Sequence, residues 1–287
     1  MLLKLPHFVP WSPPSKSTSL GTGKFKMSQP VLCSFSPVPK SLRHEVEDRE
    51  SASYKWRLLI SYDGTRFSGW QYQQSTPTVQ CLVEEALTRV TKLERNQLCL
   101  VGAGRTDAGV HAWGQVAHFI TPFKYDSLES VHRALNGLLP SDIRIREIRA
   151  VMPDFHARFS VSSKIYKYKI YNDTIMDPFH RHYVYHSVYK LNPDVMRVAA
   201  KHFVGKHDFS AFANVSRNDG IPNPIKNIIR LDVNEMGPLL QIEVEGSGFL
   251  YRQVRNMVFH NLFGYISICI VHHVWCIVVP VPVACVL

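Results

Sequence analysis

The sequence predicts an α+β protein built as two similar halves flanking a central cleft. Three observations predict it: a βαββαβ run of periodicities over residues 54–160, a looser second copy over residues 161–260, and a glycine-rich segment that opens a loop between strands of the first half.

The elements follow in order. Residues 56–62 form a strand candidate that ends at the turn Asp63-Gly64. Val79, Leu82, Val83, Ala86, Leu87 and Val90 recur at helical spacing along one face. A second strand over residues 98–101 leads into the glycine-rich segment, and residues 114–120 read as a third. Leu128, Val131, Leu135 and Leu138 mark a second helix, which Pro140 terminates. Ile143 and Ile145 alternate with Arg144 and Arg146 to start a fourth strand. This order is that of a ferredoxin-like (RRM-like) sandwich with its helices on one face. In the second copy, residues 164–171 are a strand and residues 193–204 a helix with proline in its first turn. Residues 225–233 and 239–245 pair around Gly237-Pro238. Leu240, Ile242 and Val244 alternate there with Gln241, Glu243 and Glu245, so one face is wet. A helix carrying Arg252, Val254, Arg255 and Val258 begins near Phe249. Two such halves leave a cleft between them for a bulky substrate.

The ends differ in composition. Residues 1–50 read as a disordered leader, because residues 1–44 are rich in Ser and Pro and hold six Lys or Arg with no Asp or Glu. A plastid or mitochondrial transit peptide is expected. The alternative is an upstream start with Met27 as initiator and a cytoplasmic or nuclear protein. Residues 261–287 form an atypical apolar tail, within which residues 266–287 are long enough to cross a bilayer. Pro280, Pro282, the histidines and the lack of a basic flank argue against a membrane helix. An out-of-frame or intron-derived end is the expectation. The six cysteines include no C-x-x-C pair, so neither a disulfide framework nor a zinc site is indicated, and Cys269, His272, His273 and Cys276 read as a chance grouping. The net charge of +10 is concentrated in the leader; the rest is compatible with nucleic acid but does not demand it.

Chemistry concentrates in residues 101–109. The first glycines, following a strand, mimic a dinucleotide-binding G-x-G-x-x-G loop. That loop needs its third glycine where Asp107 stands, and a helix where residues 114–120 read as a strand. The other reading is that the glycines expose a loop and present Asp107 at a cleft. An aspartate, with a reference pKa of about 3.9, is ionised at neutral pH and acts as a nucleophile without a helper base. From this segment alone, an aspartate that fixes a turn or caps a helix is equally consistent.

A resemblance separates these readings. Gly104-Arg105-Thr106-Asp107-Ala108-Gly109-Val110-His111 resembles the signature of the TruA family of tRNA pseudouridine synthases. Five further blocks follow the family's order: Ser61-Tyr62-Asp63-Gly64 with Phe67-Ser68-Gly69-Trp70-Gln71; residues 154–160; Tyr166-Lys167-Tyr168; residues 207–212; and Val254-Arg255-Asn256-Met257-Val258. The resemblance implies an isomerase of uridines 38 to 40 in the tRNA anticodon arm, working as a homodimer. It implies Asp107 as nucleophile, at ribose or base, and Tyr166 as the tyrosine that stacks on the target base and helps remove its proton. Arg255 matches the arginine that pairs with the nucleophile, and Arg105 is a second cation that opens space for the base. His111 and His156 are read as positioning or RNA-contact residues. The reaction changes no oxidation state, so neither cofactor nor metal is expected. After Val258 the family continues a long helix, adds another and returns a final strand near the active site; residues from Phe259 match none of that. An exposed sheet edge, poor solubility and impaired turnover are expected from its loss. The alternative function is therefore an RNA-binding member of the same family that has lost turnover.

Overall fold

In a computed structural model of the chain, residues 53–214, 223–262 and 274–280 are described, with residues 260–262 and 274–280 as backbone only. The predicted leader and most of the apolar tail, including Cys269, His272 and His273, lie outside the described residues.

The first strand shows how local pattern becomes architecture. β1 (Tyr54–Tyr62) alternates, and Trp56, Leu58, Ile60 and Tyr62 turn to one side, each 3% exposed or less. That side meets α1 (Val79–Thr91), α2 (Arg95–Leu98) and α3 (Leu128–Leu138) in a core with Val83, Leu87, Leu98 and Leu135. Fully burying side chains of this size stabilises by about 1.5–3 kcal/mol each. Thr78 caps α1 by accepting from Cys81 N, and Ser127 caps α3 by accepting from Ser130 N. β1 runs antiparallel between β3 (His111–Thr121) and β4 (Ile143–Val151).

The strand expected at residues 98–101 is mostly something else. Glu94 and Gln97 form a reciprocal capping box that starts the four-residue α2, and Cys99 closes it in a left-handed conformation, φ 44°. Only Val101–Gly102 remains as β2, paired with β3.

The second run of elements contributes β5 (Val161–Asn172), β6 (Tyr185–Ser187), α4 (Pro193–Lys201), β7 (Gly205–Asp208), β8 (Ile225–Met236), β9 (Leu239–Gly246) and α5 (Gln253–Leu262). Asn192 caps α4, accepting from Asp194 N and Val195 N with Pro193 at the first turn. α4 and α5 pack with β5, β8 and β9 around Ile170, Met196, Phe209, Ile228, Ile242 and Met257.

Both runs share a single mixed sheet, ordered β4-β1-β3-β10-β5-β9-β8-β7. β10 (Val274–Pro280) overturns the expectation of a missing strand and an exposed edge. It lies parallel to β3, with Trp275 opposite His111, and antiparallel to β5, from Val274 opposite Tyr168 to Pro280 opposite Val161. A valine-rich apolar run has the propensity for such a place, where both sides of the strand find ladder partners. No helix among the described residues is long and apolar enough to cross a membrane.

Candidate active site

Residues 103–110 link β2 to β3, and hydrogen bonds hold them from three sides. Ala103 N donates to Val116 O at 2.8 Å, and Lys164 Nζ donates to Ala103 O at 2.8 Å. Gln115 Nε2 donates to Gly104 O at 2.6 Å. Trp70 N donates to Thr106 O at 3.1 Å, and the hydroxyls of Tyr62 and Thr106 share a 2.8 Å hydrogen bond. Gly109 N donates to Phe67 O and Val110 N to Asp107 O, both at 3.1 Å. Thr106 and Val110 are buried, Asp107 is half-buried and Arg105 is exposed. The strand that begins at His111 leaves no helix for Asp107 to cap and none for a dinucleotide to sit against.

Two glycines of the β1–α1 connection make this fit possible. A Cβ on Gly64 would stand 2.0 Å from Val110 O. On Gly69, held at φ +99°, it would stand 2.4 Å from Thr106 O. Behind the loop, Tyr183 donates to Asp63 Oδ2 at 2.9 Å, and Asp63 Oδ1 lies 3.0 Å from His111 Nδ1. Gly64 N–H donates to the same Nδ1 at 3.1 Å. Burial pushes the His111 pKa down. Burial alone would raise the Asp63 carboxyl, but hydrogen bonds from Thr65 and Tyr183 outweigh it and bring it below the usual carboxylate range. At 1% exposure, His111 supports the loop and does not face the cleft.

The loop forms one wall of a cleft of about 710 Å³, and Asp107, Arg105, Tyr166 and Arg255 all line it. The four residues singled out from the sequence are thus brought together from the β2–β3 loop, β5 and α5. The lining also holds Arg158, Lys164 and Arg252, which makes five cations around one carboxylate. Trp70, Phe249 and Tyr251 add aromatic surface, and the Phe249 ring meets Tyr166 edge-on at 4.8 Å. Tyr168, two residues along β5, is 4% exposed, and burial raises its hydroxyl to about 12, so it belongs to the core. Arg255 Nε is buried with no hydrogen-bond partner among the described residues. A buried donor left so carries a desolvation cost of about 1–3 kcal/mol that an incoming acceptor would relieve.

Sequence reasoning missed Lys164, Arg158, Arg252 and Phe249. Lys164 was within reach of it, since β-strand alternation puts it on the same face as Tyr166. The others reach the cleft from loops, and no periodicity marks them.

A family model described as tRNA pseudouridine synthase matches residues 58–160 and 199–263. The chain is 45% identical over 204 residues to tRNA pseudouridine synthase A 1 of Protochlamydia amoebophila (strain UWE25), covering 71% of this chain and 78% of that protein. It is 44% identical over 205 residues to tRNA pseudouridine synthase A of Methylacidiphilum infernorum (isolate V4), covering 71% and 78%. With the Bacillus subtilis (strain 168) protein of the same name it shares 44% identity over 199 residues, covering 69% and 79%.

Proposed function

Because the chain belongs to the tRNA pseudouridine synthase (TruA) family, and so isomerises uridine to pseudouridine in tRNA, we propose that Asp107 is its nucleophile and the anticodon arm its target. The uridines are those at positions 38 to 40. The two runs of elements are read as two ferredoxin-like halves with the RNA-binding cleft between them.

The reaction exchanges one bond for another inside a single nucleotide. The C1′–N1 bond breaks, a C1′–C5 bond forms, the C5 proton leaves and N1 gains one, so no electrons enter or leave. Asp107 holds the fragment that would otherwise be lost, by a transient bond to the ribose or to the base. Reaching the uridine requires extruding it, at a cost of a few kcal/mol. Stacking on Tyr166 returns about 1–3 kcal/mol of that cost, and the same phenol helps to remove the C5 proton. Arg255 steadies the nucleophile, and Arg105 opens space for the base.

The observation that carries this reading is the lone carboxylate among five cations on the cleft lining, on a loop tied by hydrogen bonds to several elements. Cations concentrate RNA phosphates there. The test is pseudouridine formation on an anticodon stem-loop by the wild type and by Asp107→Asn. The amide is expected to retain binding and to lose at least about a thousandfold in turnover, as removal of a covalent nucleophile does. Turnover by Asp107→Asn would remove the nucleophile assignment. Binding without product by both proteins would leave the non-catalytic alternative. Homodimerisation rests on the resemblance alone and is tested by light scattering of the purified protein. Delivery to a plastid or mitochondrion rests on the composition of residues 1–50 and is tested by fusing them to a fluorescent reporter.

A further inference from the structure

Three non-glycine residues among those described have a left-handed backbone: Lys92, Cys99 and Arg252. Lys92 and Cys99 close helices α1 and α2, where that conformation is the ordinary way to end a helix. Arg252 is different. It stands at φ +60° immediately before the first residue of α5, so helix termination does not account for it. A side chain at this φ carries a steric cost that glycine escapes and asparagine reduces.

The conformation determines what faces the substrate. Leu250 and Gln253, on either side of the pair 251–252, are buried at 8% and 0%. Tyr251 and Arg252 line the cleft, and the Arg252 guanidinium sits over the Tyr251 ring at 5.1 Å from its centroid. Among the described residues the guanidinium makes no hydrogen bond or ion pair. It is therefore an exposed cation over an aromatic ring, on a left-handed backbone, facing a cleft already rich in positive charge. The turn closed by Gln253 N to Leu250 O at 3.1 Å asks for a left-handed backbone at Arg252, a place that glycine or asparagine fills at less cost, so an arginine there points to a role for its side chain. A guanidinium held over a ring and making no other bond keeps its N–H donors available for two oxygens of one phosphate, which an ammonium group cannot match.

We propose that Arg252 is a substrate-binding residue that takes an RNA backbone phosphate beside the uridine that reacts at Asp107. The proposal rests on the reading of the cleft as an RNA site, and its test separates the two. Thermal midpoints and stem-loop affinity across a salt titration are measured for Arg252→Gly, Arg252→Asn and Arg252→Lys, with affinities taken in the Asp107→Asn background. Michaelis constants are measured in the otherwise wild-type enzyme.

Arg252→Gly should melt about 1–3 °C higher as the backbone strain is released. It should bind RNA about tenfold more weakly, as loss of a charged hydrogen bond does, with the loss falling on KM more than on kcat. The slope of log affinity against log salt should flatten by about one. Arg252→Asn should follow it, while Arg252→Lys should keep the salt slope and lose part of the affinity. Stability rising while affinity falls is a combination that a merely structural residue does not give. Unchanged affinity and salt slope in Arg252→Gly would overturn the proposal, as would affinity that falls only together with the melting temperature. Should the wild type neither bind nor convert the stem-loop, the reading of the cleft falls first and this proposal with it.

Discussion

The two walls of the cleft are built on different principles. The Asp107 wall is a loop with almost no regular structure, yet its backbone is bonded to the β1–α1 connection, β3 and β5, and its Thr106 hydroxyl to Tyr62 of β1. The wall opposite, residues 249–255, is organised locally: Gln253 N donates to Leu250 O, and Gln253 Oε1 accepts from Leu250 N at 2.8 Å. Among the described residues few ties reach it from afar, such as Asn214 N to Tyr251 O at 3.1 Å. The nucleophile proposed at Asp107 must be held to a fraction of an ångström to be useful. Surfaces that receive a large, variable RNA have no such need. Fixing by distant partners against fixing by near neighbours is the expected structural trace of those two demands.

The largest effect should come from disturbing the first wall. Gly69→Ala places a methyl group 2.4 Å from Thr106 O at a residue whose φ is +99°. The backbone must move, and the loop with it. A loss of about 3 kcal/mol in stability is expected from the combined clash and strain. Where protein still folds, turnover should fall by about a hundredfold, since misplacing a reacting group by about 1 Å costs that much. Urea unfolding and single-turnover assays on the anticodon stem-loop check it. Near wild-type stability and rate would mean that the wall is far softer than its hydrogen bonds suggest.

A pH-dependent tie comes next. The turn that delivers Arg158 to the cleft hangs on His118, whose Nδ1 accepts from Ala157 N at 3.1 Å. Burial first, then the neighbouring His156 and Lys55, push His118 down from 6.5 to about 4. A histidine with a folded pKa below its unfolded value favours folding only while neutral. As pH falls below about 6.5 the unfolded chain gains a proton that the folded one refuses, and stability drops until the folded group also titrates near 4. The loss over that window should approach about 3 kcal/mol, and His118→Gln should flatten it. An unchanged acid slope in the variant would show that other groups set it.

Lys164→Met tests the tie from β5. Its Nζ hydrogen bond to Ala103 O belongs to the charged class, worth about 1.5–3 kcal/mol. Turnover should fall by about tenfold or more, with Tyr166 still in place. A change confined to RNA affinity would make Lys164 a phosphate contact alone.

How much of this was legible depended on how far each feature reached through the chain. β1, α1, α3, β8 and β9 were readable because alternation or helical spacing is written within each segment. β6 and β7, three and four residues long, are too short to show a period. β10 misled for a physical reason: a strand paired on both sides can be apolar throughout, and so resembles foreign sequence. Asp107 stood out because its eight-residue motif is contiguous. Arg158 and Arg252 did not, because only the folding of distant loops brings them to the same cleft.

The smallest effect is the sharpest check on the comparison. Gly248 lies at the edge of the second wall, and a Cβ built there meets nothing within 4 Å. Its φ is not in the left-handed region, unlike that of Gly69. Alanine therefore fits without displacing a neighbour, and it narrows the unfolded ensemble, which stabilises by about 0.4–1 kcal/mol when the backbone is compatible. Gly248→Ala should thus leave stability level or slightly raised, and turnover within about twofold of wild type. The same methyl group, added to a glycine on each side of one cleft, would then cost one wall its function and the other nothing. If Gly248→Ala were as damaging as Gly69→Ala, the second wall would be fitted as tightly as the first, and the division between a fixed catalytic side and a tolerant binding side would not stand.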